Sequence, residues 1–157
     1  MNPLVQKAIG FAWAAHAGQK YETANGPVGY EFHLRGVAAP FATAENSDPV
    51  LVAAAWLHDT VEDNANITVD LLNKLFGREV AEIVDALTRR PGEIYLARYI
   101  PRVAANEKAR RIKLSDLAFN IDQCLANPTA QNEGRLVRYK KALAFLEKPV
   151  DNWRLLA

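Results

Sequence analysis

Residues 48–63, Asp48-Pro49-Val50-Leu51-Val52-Ala53-Ala54-Ala55-Trp56-Leu57-His58-Asp59-Thr60-Val61-Glu62-Asp63, decide how this chain folds. Asp48 suits a helix N-cap and Pro49 the first helical position. From Val50 to Leu57 the run is apolar without a break. A helix that is apolar all round has no face for water and belongs in the middle of a fold. The expected architecture is all-α, a helical bundle built around a helix from Pro49 to Asp63.

Helical periodicity extends outward on both sides. Leu4, Ala8, Phe11, Ala12 and Ala15 form a stripe that predicts a first helix from about Pro3 to Ala17, with Gly18 past its end. Residues 18–29, GQKYETANGPVG, are rich in turn formers and are expected to be a loop. A second helix is expected from about Tyr30 to Ala44, kinked near Ala39 by Pro40. After the central helix, Thr68 caps a short helix ending near Gly77. Glu79 to Arg89 turns Val80, Ile83, Val84 and Leu87 inward, and Pro91-Gly92 stops it. Glu93 to Ala105 reads as helix interrupted at Pro101. Glu107 to Leu125 and Ala130 to Glu147 are long helices, and Val150 to Leu156 reads as a short one. Nothing along the chain carries a hairpin signal.

Composition narrows the function classes. The chain has 157 residues, half of them apolar, and reads as one domain spanning 1–157. Its 19 Lys+Arg against 18 Asp+Glu argue against a strongly basic, nucleic-acid-coating binder. The one cysteine, Cys124, excludes an internal disulfide and a multi-cysteine zinc site. No apolar run is long enough to cross a membrane, and the N-terminus does not read as a signal peptide. A cytoplasmic protein is expected, and homo-oligomerisation is left open.

The chemistry begins where the apolar run ends. His58, Asp59, Glu62 and Asp63 bring four ionisable side chains within six residues. Buried without partners they would be unfavourable by several kcal/mol. A divalent cation compensates such a set, and imidazole and carboxylate are ordinary ligands for one. Adjacent helical residues diverge by about 100°, so His58 and Asp59 converge on one ion only where the backbone loosens. A solvated His-Asp pair at a helix end is the alternative. His33 sits between aromatic and apolar neighbours and, taken alone, reads better as a satisfied core histidine than as a ligand. Asp116 and Asn120, four apart, share one helix face, and Asp116 lies among Ile112, Leu114, Leu117 and Phe119.

Taken in order, Ala15-His16-Ala17-Gly18-Gln19-Lys20, Tyr30-x-x-His33, Leu57-His58-Asp59-Thr60-Val61-Glu62-Asp63, Phe76-Gly77-x-x-Val80 and Ile112-Lys113-Leu114-x-Asp116-x-x-x-Asn120 cover about residues 8–125. This combination resembles the HD-domain metal-dependent phosphohydrolases. Within them it is most similar to the small alarmone hydrolases, related to the hydrolase half of RelA/SpoT enzymes. The resemblance implies that His33, His58, Asp59 and Asp116 hold one divalent cation, Mn²⁺ or another. It implies that Glu62 and Asp63 orient or deprotonate the attacking water and protonate the leaving oxygen. It also implies a guanosine tetra- or pentaphosphate substrate that loses its 3′-pyrophosphate. Lys20, Tyr30, Lys113 and Asn120 are the expected substrate contacts, with Arg89 and Arg110 as further cations, and His16 is expected to buttress the site.

The chain departs from the family at Lys20-Tyr21, where an Arg-Lys pair is usual, and at Leu117, where a cation is common. The metal and acid–base set is complete while the nucleotide-recognition set is altered. Two other readings follow: a phosphohydrolase for a deoxynucleotide or a nicotinamide dinucleotide phosphate, and a non-catalytic nucleotide-binding module. The remaining chain has no room for a synthetase domain, so control by a fused partner is not expected.

Overall fold

The central stretch forms two helices rather than one. A computed structural model of the chain describes residues 1–43 and 46–148. In it α3 runs Pro49–Leu57 and α4 runs Thr60–Asp63, broken at His58 and Asp59. Side chains take over the carbonyls at the break: His58 Nδ1 lies 2.7 Å from the Ala55 oxygen and Thr60 Oγ1 donates to the Leu57 oxygen at 2.7 Å. Such local bonds compete with helix continuation. At the other end the Asp48 carboxylate caps α3 by accepting from the Val50 amide at 2.9 Å.

Every residue of α3 from Leu51 to Leu57 is buried. It packs against α1 (Pro3–Ala15), α2 (Glu31–Ala42), α6 (Arg78–Leu87) and α8 (Glu107–Ala126). Small side chains set the approach of α1, since Ala8, Ala12, Ala53, Ala54 and Ala55 are all wholly buried. Enlarging one of them overpacks the seam, an effect of about 1–3 kcal/mol. The rest of the core comes from Leu34 and Val37 on α2, Val80, Ile83, Val84 and Leu87 on α6, and Ile112 and Leu117 on α8. The architecture is all-α, as the periodicity predicts.

The remaining helices pack mainly on α6 and α8. Between α6 and α8 come a π-helical turn, Tyr95–Tyr99, and α7, Ile100–Ala104. Helical turns run without a gap from Tyr95 to Ala104 and change from π to α at Ile100, beside the expected interruption at Pro101. Helix α5, Val69–Phe76, is capped by Thr68 and ends at Gly77, whose φ of 92° suits only glycine. Helix α9, Ala130–Leu146, lies along α8. Pro40 does not stop α2, which continues to Ala42. The expected helix over Val150–Leu156 lies outside the described residues. Among those described, no helix is long and apolar enough to cross a membrane.

The stretch expected to be a loop is a hairpin. Strands β1 (Lys20–Thr23) and β2 (Gly26–Gly29) pair antiparallel, with Tyr21 opposite Val28 and Thr23 opposite Gly26. Gly26 takes φ 104°, and the Thr23 hydroxyl donates to its carbonyl at 2.7 Å. Four-residue strands with two glycines and a proline give too little alternation to read. Packing of Tyr21 against α2 and α8 supplies what propensity lacks.

Candidate metal centre

The break after α3 aims two adjacent side chains at one point. His58 Nε2 lies 3.1 Å from Asp59 Oδ2. Helix α2 brings His33 Nε2 to 3.3 Å from His58 Nε2 and 3.4 Å from Asp59 Oδ2. Helix α8 adds Asp116, whose Oδ1 stands 3.2 Å from His33 Nε2 and 3.6 Å from His58 Nε2. His33, His58 and Asp116 are buried, at 2%, 3% and 5% exposure. Each of His33, His58 and Asp59 offers a ligand atom within 4.8 Å of the others.

The donor set fits a cation. A carbonyl only accepts, so His58 Nδ1 carries its proton toward Ala55 and turns the Nε2 lone pair into the cluster. Two carboxylate oxygens and a second imidazole face that lone pair, a gathering of acceptors that needs positive charge at its centre. The four groups also shift one another. Burial alone would lower both imidazoles, yet Asp59 and Asp116 hold them above the ordinary value. Burial would raise Asp59 and Asp116, yet the imidazoles, and Lys113 for Asp116, hold both well below the usual carboxylate range. Divalent-metal chemistry suits two imidazoles and two carboxylates.

A surrounding layer fixes the orientation of each group. The Tyr30 hydroxyl donates to Asp59 Oδ2 at 2.7 Å. Lys113 Nζ pairs with Asp116 Oδ2 at 2.8 Å, and Asn120 Nδ2 donates to Asp116 Oδ1 at 3.1 Å. Tyr21 stacks on His33, rings 5.2 Å apart and 8° from parallel. Its hydroxyl donates to Asn120 Oδ1 at 2.6 Å.

His33, Asp59 and Asp116 open onto a cavity of about 420 Å³ that Glu62 also lines. Glu62 Oε1 accepts from the Arg89 amide at 2.7 Å. Burial of its carboxyl, reinforced by Asp59, pushes its pKa up. Asp63 points away, toward the loop after α1, where Gln19 Nε2 donates to its Oδ2 at 3.0 Å. Burial and Asp59 raise it as well. His16 stacks on Tyr30 at 4.7 Å and shares Gln19 through Nδ1 at 2.7 Å, behind the cluster.

A family model described as "HD domain" matches residues 8–116 of this chain. The chain belongs to the HD-domain family. Among its relatives is the guanosine-3′,5′-bis(diphosphate) 3′-pyrophosphohydrolase MESH1 of Mus musculus, 32% identical over 139 residues, 85% of this chain and 76% of that protein. The Danio rerio MESH1 is 30% identical over 122 residues, 73% of this chain and 66% of that protein. A probable guanosine-3′,5′-bis(diphosphate) 3′-pyrophosphohydrolase of Synechocystis is 29% identical over 86 residues, and there the match spans only 11% of the relative. A solved structure of a metazoan ortholog of SpoT superposes with a TM-score of 0.82 at 24% identity, covering 99% of this chain and 92% of that one.

Within this HD domain the expected substrate contacts divide. Lys20, Tyr30, Lys113 and Asn120 all line the cavity. Tyr30, Lys113 and Asn120 also bond to Asp59 or Asp116, so they brace the cluster they face. Arg89 lines the cavity too, whereas Arg110 is turned to the Leu146 carbonyl, 2.9 Å away, and stays apart. Sequence reasoning missed the far wall, where Tyr95 and Tyr99 of the π turn face Arg135, Arg138 and Tyr139 of α9. Their spacing at 135, 138 and 139 marks one helical face, which was the available signal.

Proposed function

We propose that this chain is a metal-dependent phosphohydrolase that removes the 3′-pyrophosphate of guanosine tetra- or pentaphosphate, leaving GDP or GTP. The observation that carries the reading is the convergence of His33, His58, Asp59 and Asp116 beside Glu62, at the edge of a cavity rich in cations. Kinship over most of the chain with MESH1 proteins named for that reaction supports the substrate.

His33, His58, Asp59 and Asp116 would hold the cation, with Mn²⁺ as the proposed ion. A divalent ion held there would lower the pKa of a bound water and polarise the phosphoryl group. The remaining work falls to side chains. Glu62, made more basic by burial, takes the proton of the attacking water and returns it to the leaving oxygen, a contribution of about 10²–10⁴-fold. Asp63, tied to Gln19, holds the short α4 against the loop after α1 and so sets where Glu62 stands. Lys113, kept cationic by Asp116 despite its burial, offsets phosphate charge at the same edge. The chain acts on a free nucleotide, with the cytoplasm as its proposed location.

The test is product analysis: purified protein with Mn²⁺ and ppGpp yields GDP and pyrophosphate. Absence of turnover in a metal-replete sample overturns the reading. Lys20-Tyr21 motivates a second reading, hydrolysis of another nucleotide, because the Tyr21 hydroxyl already occupies Asn120. A nucleotide panel in which only ppGpp is consumed removes that alternative.

A further inference from the structure

The outer side of α2 borders a second cavity, of about 410 Å³, that shares no lining residue with the one at the metal centre. Phe32, Gly36 and Ala39 of α2 and Phe119 of α8 line it, together with Glu31 and Arg35. Phe32 remains 39% exposed although its ring meets Phe119 edge-on at 5.3 Å. Gly36 and Ala39 present little or no side chain, so another backbone can come close. Glu31 and Arg35 lie one turn apart on the same face, a spacing that suits an ion pair within one helix. That pair is not made. The Glu31 carboxylate is folded back over Gly29, and among the described residues neither Glu31 nor Arg35 has an opposite charge within 4.0 Å.

An acid and a base so placed complement themselves. A copy of the chain turned about a twofold axis, its α2 antiparallel to the first, sets its Arg35 against Glu31 and its Glu31 against Arg35. The two Phe32 rings then meet between the ion pairs, an aromatic centre with a charged rim, as interfaces are commonly built. A partner of another kind would have to carry the same two charges in reverse order, whereas a second copy has them already. The formal net charge of +1 sets no long-range repulsion against self-association.

We infer that this face of α2 is a twofold interface between two copies of the chain, centred on Phe32 and flanked by reciprocal Glu31–Arg35 ion pairs. Helix α2 then serves two purposes, with buried His33 turned to the metal centre and exposed Phe32 turned to the second copy. The contact residues lie outside the cavity at the metal centre, and no part of the inference depends on which nucleotide that cavity takes.

Sedimentation velocity of the full chain over a range of protein concentrations reads the association. Wild type is expected to form a dimer that weakens as salt is added, because its ion pairs sit at an open rim. Arg35→Glu and Glu31→Arg each set two pairs of like charges face to face, and each is expected to weaken the dimer roughly 10- to 100-fold. The double variant Glu31→Arg/Arg35→Glu restores both attractions and is expected to dimerise again, as is an equimolar mixture of the two single variants. Ala39→Arg, on the next turn of the same face, blocks the second copy without touching these charges and is expected to be monomeric. Circular dichroism of dilute samples confirms that each variant folds. A wild-type chain that stays monomeric at every concentration overturns the inference. So does a dimer that survives Ala39→Arg or either single reversal unweakened. A double variant and a mixture that both remain monomeric overturn the reciprocal pairing.

Discussion

The Tyr30 hydroxyl donates to Asp59 Oδ2 across 2.7 Å, tying the first residue of the α2 turn to the carboxylate at the end of α3. The bond leaves one Asp59 orientation favoured, the one that faces both imidazoles. Tyr30→Phe keeps the ring on His16 and removes the donor. Loss of an outer partner of this kind typically lowers metal affinity 10- to 100-fold. Calorimetric titration with Mn²⁺ should show that loss with little change in melting temperature. Unaltered affinity would show that Asp59 needs no such restraint.

Glu62 lines the cavity while Asp63 is held by Gln19 outside it. Glu62→Gln keeps size and polarity but cannot take a proton. Single-turnover rates with ppGpp should fall by about 10²–10⁴-fold while Mn²⁺ stoichiometry stays at the wild-type value. Asp63→Asn should lose less, since an amide still bonds to Gln19. Equal loss in both variants would place Asp63 at the reacting atoms as well.

The order of the polar residues told more about the site than about the backbone that presents it. The apolar run from Val50 to Leu57 placed α3 at the centre, and the four cluster residues could be named together only because the flanking motifs, in their order, resemble those of a known family. The break at His58-Asp59 was not legible, because His58 and Thr60 make it by bonding to carbonyls of their own helix end. The hairpin was hidden for another reason: GPVG has loop composition, and only Tyr21, seated on His33 and Phe119, holds it as a strand pair. The α9 wall was the largest omission. Arg135, Arg138 and Tyr139 form no diagnostic motif, and their part in the cavity shows only where the Tyr95 turn packs opposite them.

Gly36 on α2 faces the Phe119 ring so closely that an added methyl would overlap it. Phe119 in turn packs at 5.2 Å from His33 and 5.7 Å from Tyr21. Gly36→Ala should therefore destabilise by roughly 1–3 kcal/mol, a drop of about 2–10 °C in Tm for a chain of this length. Thermal unfolding checks this, and a variant as stable as wild type would show that Phe119 moves aside freely.

The Arg102 guanidinium holds Glu93 through both oxygens at 2.8 Å and also donates to the carbonyl of Thr88 at 2.7 Å, clamping the approach to the π turn. Its hydrogen bonds lower the Glu93 carboxyl from its usual 4.5 to about 2. A depressed acid stabilises the fold above its unfolded value and loses that contribution as pH falls through the folded one. The benefit is thus full above pH 4.5 and gone below about 2. Because the pair is partly open to solvent, its worth is on the order of 1–2 kcal/mol. Denaturant titrations should find Glu93→Gln less stable than wild type at pH 7, with the gap closing on acidification. A gap independent of pH would show that the pair acts through packing alone.

The central claim is that four side chains distant in sequence hold one divalent ion. Crystals grown with Mn²⁺ and measured at the manganese absorption edge test it directly. The account expects one anomalous peak about 2 Å from His33 Nε2, His58 Nε2 and the nearest oxygens of Asp59 and Asp116. A peak bound elsewhere, or none at these side chains in crystals saturated with Mn²⁺, would contradict it.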